Sequence, residues 1–140
     1  MAQCVLIVDD SEVNRRLLTK YLEHEYDLLY AKHGEEALAQ VTQRGAAISA
    51  ILLDLMMPVM DGFEVLKALR ANPLWAGIPV IVSSTLSDGE TRARVTALGA
   101  RHFLPKPFEQ ARAVETLQSA IRVSNGIKDE TPQNLRLKEI

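Results

Sequence analysis

At 140 residues, with 47% hydrophobic and 24% charged residues, the chain has the size and composition of a single globular domain with a real core. A formal net charge of −2 lacks the basic excess that drives nucleic-acid binding, so no direct nucleic-acid partner is expected. The only cysteine, Cys4, excludes a disulfide framework or a cysteine-built metal site, and no apolar run suits a bilayer span or a secretory leader, so a cytoplasmic protein without a membrane partner is expected.

The first apolar run, CVLIVD (4–9), is continuous rather than alternating, the texture of a strand covered on both faces, and it ends on Asp9-Asp10. Helical spacing follows over 11–24, with Val13, Leu17, Leu18, Tyr21 and Leu22 on one stripe and Ser11 with Asn14 at its start. YDLLYA (26–31) reads as a second strand, and 35–44 as a helix through Ala37, Leu38 and Val41. AILLD (50–54) is the third strand and ends on Asp54; Asp61-Gly62 then opens a helix over 62–71 with Phe63, Leu66 and Leu69 inward. IPVIVS (78–83) is the fourth strand and delivers the hydroxyls of Ser83, Ser84 and Thr85. The helix over 88–98 is the least apolar, with Ala93, Ala97 and Leu98 as its best face, and it should be only lightly anchored. RHFLP (101–105) is a weaker fifth strand followed by Lys106, and 108–123 is a last helix through Phe108, Ala111, Val114, Leu117 and Ile121. Residues 1–123 thus form the domain. The polar stretch 124–140 reads as a linker or the start of a connecting helix to an output domain beyond residue 140.

Five strand–helix alternations predict an α/β doubly wound parallel sheet with right-handed crossovers. Ligands of such sheets bind at the carboxyl ends of the strands. Asp9, Asp10, Asp54, a strand-four hydroxyl and Lys106 all fall there. Alone, each has a bland explanation: a helix cap, a turn residue, a solvated amine. Together they make a coherent site. Three close carboxylates raise one another's pKa unless a cation sits among them. Oxygen-only donors suit Mg²⁺, with Mn²⁺ as an alternative. Phosphoryl transfer requires little beyond positioning and charge neutralisation, and one carboxylate can serve as the nucleophile, giving an acyl phosphate.

The segments LIVDDSEVNRRLL, LLDLMMPVMDGFEVL, IPVIVSSTLSD and LPKPF resemble, in order and spacing over about residues 3–123, a bacterial two-component response-regulator receiver domain of the CheY-like superfamily. The resemblance implies a flavodoxin-like (βα)5 fold with strand order 2-1-3-4-5. It implies Asp54 as phospho-acceptor, Asp10 as a direct Mg²⁺ ligand, Asp9 acting through water, and the Met56 carbonyl completing the set. It also implies Lys106 as the phosphate-binding lysine with a cis Lys106–Pro107 bond, Ser84 as the switch hydroxyl and Phe103 as the switch aromatic. Phosphorylation would then reshape the face made by helix 88–98, the fifth strand and helix 108–123. The donor would be a phosphohistidine on a sensor histidine kinase or a histidine phosphotransfer protein, and a phosphorylation-dependent homodimer is a family-level expectation.

Two departures from the family pattern stand out. Thr85 follows the switch hydroxyl where a small residue is usual, so it can crowd the phosphoryl entrance, or a one-residue slip can make it the working hydroxyl; Ser84 is preferred. Phe103 lacks the hydroxyl of the common tyrosine, so its inward and outward positions differ only in packing. The positions two beyond the acceptor and two beyond the switch hydroxyl are Met56 and Leu86, both poor at holding an attacking water, which predicts a long-lived phosphoryl group. The domain is not expected to turn over an external substrate. A phosphohydrolase of the haloacid-dehalogenase type would need D-x-D, and Asp54 is followed by Leu-Met. The alternative to a phosphorylated switch is a receiver-like protein-interaction domain that signals without phosphorylation. His24, His33 and His102 are read as surface or helix-end residues, Met56, Met57 and Met60 as loop packing, Cys4 as a small buried hydrophobe, and Trp75 as packing on the edge away from the acidic residues. Arg92, Arg94, Arg101 and Arg112 are read as solvated surface.

Overall fold

A computed structural model describes residues 3–57, 60–85 and 89–124. Five strands, β1 (Gln3–Val8), β2 (Tyr26–Ala31), β3 (Ile48–Asp54), β4 (Val80–Ser84) and β5 (His102–Pro105), form one parallel sheet in the order 2-1-3-4-5. Between and after them run α1 (Glu12–Leu22), α2 (Gly34–Arg44), α3 (Gly62–Ala71), α4 (Gly89–Ala97) and α5 (Gln110–Ser124), with a 3₁₀ turn at Gly45–Ala47. The fold class and strand order are those the sequence predicts. The order explains the textures: β1, β3 and β4 are interior and continuously apolar, whereas the edge strand β2 exposes Asp27 and Tyr30.

Strand alternation divides the core into two layers. Leu6, Val8, Ile51, Leu53, Val80 and Val82 face α2, α3 and α4, which contribute Ala37, Val41, Leu66, Leu69 and Val95. Val5, Ile7, Ala50, Leu52, Ile81 and Leu104 face α1 and α5, which contribute Leu18, Leu22, Leu117 and Ile121. Each buried Leu or Ile contributes about 1.5 to 3 kcal/mol of burial.

The helices start where local chemistry satisfies their free N–H groups. Ser11 Oγ accepts from the Asn14 N–H in α1, and His33 Nδ1 accepts from the Glu36 N–H in α2. Asp61 and Glu64 form a reciprocal capping box on α3. The expected start at Ser87-Asp88 lies outside the described residues, as does the tail beyond Ser124.

Several boundaries and faces differ from expectation. β4 begins at Val80 rather than 78, because Pro79 has no N–H for the ladder, although its carbonyl accepts from the Ile51 N–H. β3 begins earlier, at Ile48, which pairs with Cys4 ahead of a register shift. Phe108 stands before α5 and fills the α1/α5 layer. Val13 is 74% exposed and leaves the α1 stripe, and Ala111 is exposed while Ala113 and Ala120 are buried. In α4 the buried residue is Val95, with Leu98 half-buried behind it, and Ala93 and Ala97 are exposed. The helix turns its larger side chains inward, since methyl groups offer little area to bury.

Met57 is buried and Met60 packs against the core, but Met56 is exposed. Cys4 is half-buried rather than buried; burial pushes its thiol pKa up, Arg44 opposes this, and Asp27 adds to it. Trp75 packs half-buried against the α2–α4 layer ahead of β4. No helix among the described residues is long and apolar enough to cross a membrane.

Candidate functional site

Asp54 is the last residue of β3, in register with Ser83 of β4 and two residues beyond Leu52 on the α1/α5 face. Asp9 and Lys106 stand two residues beyond Ile7 and Leu104, which face the same layer. One parity thus brings three charged groups from separate strand ends together. Asp9 and Asp54 are 1% and 2% exposed, and Asp10 is open to solvent. One oxygen from each of the three carboxylates lies within 4.8 Å of the others. Lys106 Nζ is 3.2 Å from Asp54 Oδ1 and 3.4 Å from Asp9 Oδ2, and the Lys106–Pro107 bond is cis.

The two buried carboxylates are supported differently. Asp9 Oδ1 accepts from the Ser11 N–H at 2.9 Å and Oδ2 from Asn14 Nδ2 at 3.2 Å. The Asp9 carbonyl accepts from Arg15 Nη1 at 2.7 Å. Asp54 Oδ1 accepts from the Met56 N–H at 3.2 Å and from the Lys106 ammonium at 3.2 Å. Burial, followed by the charge of Asp9, holds the Asp54 carboxyl above the usual carboxylate range, and Lys106 and the Met56 N–H oppose this. Ionised Asp54 is therefore a charge the fold tolerates at a cost, and a cation among the three carboxylates relieves it. The donor set is all oxygen and fits a hard divalent ion.

The strand ends are bolted around this cluster. The Leu55 N–H donates to the Ser83 carbonyl (3.2 Å), the Lys106 N–H to the Ser84 carbonyl (3.2 Å), and the Gly62 N–H to the Leu55 carbonyl (3.0 Å). Ser84 closes β4 and is buried, whereas Thr85 is exposed just past the strand. Phe103 lies half-buried on β5, packed against the α2–α4 layer, with the Arg92 guanidinium 4.6 Å from its ring centre. Arg94 stacks 3.8 Å from the Phe63 ring centre, so neither of these two arginines is simply solvated; Arg101 and Arg112 are exposed. Met56 is 60% exposed, and Leu86 lies outside the described residues.

Reading strand ends alone identifies Asp9, Asp10, Asp54 and Lys106 as neighbours but misses Arg15 as the support of the Asp9 backbone. An arginine one turn into a helix carries no sequence signal that distinguishes it from a solvated one.

The response regulator receiver domain family profile matches residues 5–118. Response regulator RR06 of Streptococcus pneumoniae is 36% identical over 126 residues, 89% of this chain and 56% of RR06. The chain spans about half the length of several of the curated relatives it matches. The structure of the Vibrio cholerae chemotaxis protein CheY4 superposes with a TM-score of 0.80 at 34% identity, over 86% of this chain and 99% of that one. The receiver domain of the sensor histidine kinase PA1611 from Pseudomonas aeruginosa, with a magnesium ion coordinated in its active-site cleft, superposes with a TM-score of 0.78 at 26% identity, over 86% and 98%. With matching fold, family profile and strand-end cluster, the chain belongs to the response regulator receiver domain family of two-component signalling.

Proposed function

We propose that the domain, residues 1–123, is a phosphorylation-activated switch that accepts a phosphoryl group on Asp54 with the help of Mg²⁺. The observation that carries this reading is the meeting of Asp9, Asp10 and Asp54 within 4.8 Å beside the Lys106 ammonium. Asp10, exposed and free to turn, suits direct ligation. Asp9, whose oxygens already accept from Ser11 and Asn14, suits a role through water. The Met56 carbonyl would complete the protein's ligands.

Bound Mg²⁺, or Mn²⁺ in its place, would neutralise phosphoryl oxygens. The Asp54 carboxylate forms the new O–P bond as the P–N bond to a donor imidazole breaks, and the imidazole takes the electron pair. Lys106 balances charge on the transferring group, and Ser84 is the hydroxyl drawn toward it once bound. Phe103 then moves inward, and the α4–β5–α5 face changes. Light anchoring of α4 through Val95 supports a movable element.

The donor is a phosphohistidine on a sensor histidine kinase or a histidine phosphotransfer protein. The exposed apolar Val13 and Met56, each within three residues of an acidic ligand, offer it a rim to dock on. The domain takes and slowly loses its phosphoryl group but turns over no external substrate. It acts in the cytoplasm, and the switched face passes the signal on, to an output domain in cis, to a second copy of the chain or to a separate partner.

Intact mass after incubation with acetyl phosphate and Mg²⁺ tests the reading. One added phosphate is expected on wild type and none on Asp54→Ala, with the adduct lost to hydroxylamine. An adduct that survives Asp54→Ala, or no adduct even with a phosphohistidine donor, overturns it and leaves a domain that signals by binding alone.

The exposed Met56 side chain cannot hold an attacking water, so the phosphoryl group is long-lived. Met56→Asn is expected to shorten its lifetime several-fold in a dephosphorylation time course. Equal or slower loss from the variant would rule this out.

A further inference from the structure

Burial holds α4 weakly: Val95 is its buried residue, and Leu98 follows half-buried just past its end. Two arginines add a different kind of attachment. Arg92 lies over the ring of Phe103 on β5, at 4.6 Å from its centre, and Arg94 over the ring of Phe63 on α3, at 3.8 Å. Both are within cation–π range. Among the described residues neither arginine pairs with a carboxylate.

The two rings are not equivalent. Phe63 belongs to α3, a well-buried helix, so Arg94 fastens α4 to a fixed neighbour. Phe103 is half-buried at the sheet edge, packed against the α2–α4 layer, and has no hydroxyl with which to hold its place by hydrogen bonding. The cation over its face supplies that hold.

We propose that Arg92 is a positioning residue: its stack holds Phe103 in the half-buried place it has in the unphosphorylated protein and thereby limits how readily Asp54 takes up a phosphoryl group. This rests on the reading of Asp54 as acceptor. A ring that leaves its present place leaves the guanidinium behind, so the stack favours one of two ring placements and shifts the balance between them. An exposed stack biases that balance roughly two- to five-fold.

The chain has three phenylalanines, 63, 103 and 108, so uniform 4-fluorophenylalanine labelling gives three ¹⁹F resonances that Phe→Leu variants assign. Arg92→Met keeps a long side chain over the ring and removes the charge, Arg92→Lys keeps a cation, and Arg94→Met controls for general loosening of α4. Arg92→Met is expected to move the Phe103 resonance and to speed uptake from acetyl phosphate roughly two- to five-fold. Arg92→Lys restores most of both, and Arg94→Met moves only the Phe63 resonance. Wild-type uptake in Arg92→Met, an unmoved Phe103 resonance, or equal acceleration by Arg94→Met overturns the inference alone. A wild type that takes no phosphate overturns the reading of Asp54 and this inference together, whatever the resonances do.

Discussion

Asp54→Asn unfolds a few degrees above wild type when metal is absent, and its melting temperature no longer responds to Mg²⁺. The reason lies in what surrounds the carboxylate. Asp54 is 2% exposed, Asp9 repels it, and Lys106 and one backbone N–H only partly compensate. The amide is neutral and nearly the same shape, and Lys106 keeps Asp9 as a partner. The pH dependence follows from the direction of the shift. The folded pKa of Asp54 is raised above its ordinary 3.8, so between these values the native state binds more protons than the unfolded chain. Stability from this residue is full below 3.8 and is lost as pH rises through the raised value. The gap between variant and wild type is therefore widest near neutral pH and closes on acidification. Melting curves in chelator and in Mg²⁺ at both ends of this range provide the check. A variant less stable than metal-free wild type at pH 7 would mean that Lys106 more than compensates the buried charge.

Gly62→Ala costs about 2 to 3 kcal/mol and weakens the response to Mg²⁺ as well. A Cβ at this position would stand 2.6 Å from the Asp54 carbonyl oxygen and 2.7 Å from the Leu55 Cα, both backbone atoms of the strand end that presents the carboxylate. Relief requires moving α3 or the strand end, and the Gly62 N–H bond to the Leu55 carbonyl ties the two. Two other glycines set the scale. At Gly34 the added methyl would meet Met60, whose Cγ and Sδ can swing away but whose Cβ, at 2.9 Å, must also give, so the loss is smaller than at Gly62 but not negligible. At Gly89 nothing among the described residues lies within 4 Å, and alanine there is expected to stabilise α4 by about 0.5 to 1 kcal/mol. Urea denaturation of the three variants orders these effects. A Gly62→Ala protein as stable as Gly34→Ala would show that the strand end yields.

The parallel sheet and the meeting of Asp9, Asp10, Asp54 and Lys106 were legible in the sequence from the strand–helix alternation and from where apolar runs stop, whereas the strand order came only from the family resemblance. A run buried on both faces ends where the sheet ends, so its terminal charges share an edge. Faces of helices were less legible. Val13 sits in the first turn of α1 on the expected stripe, yet it is exposed. Ala93 and Ala97 matched the spacing as well as Val95 and Leu98 did, and the larger pair, with more area to bury, takes the inward face. The arginine stacks of α4 were hidden for a further reason: a cation over a ring pairs residues far apart in sequence, here Arg94 with Phe63, and leaves no periodic trace.

Those stacks have a thermal consequence. Apolar burial weakens on cooling because it carries a large heat-capacity change, whereas attraction between a charge and a ring quadrupole carries little. Docked through Arg92 and Arg94 as well as through Val95 and Leu98, α4 is expected to lose less of its hold on cooling than burial alone would allow.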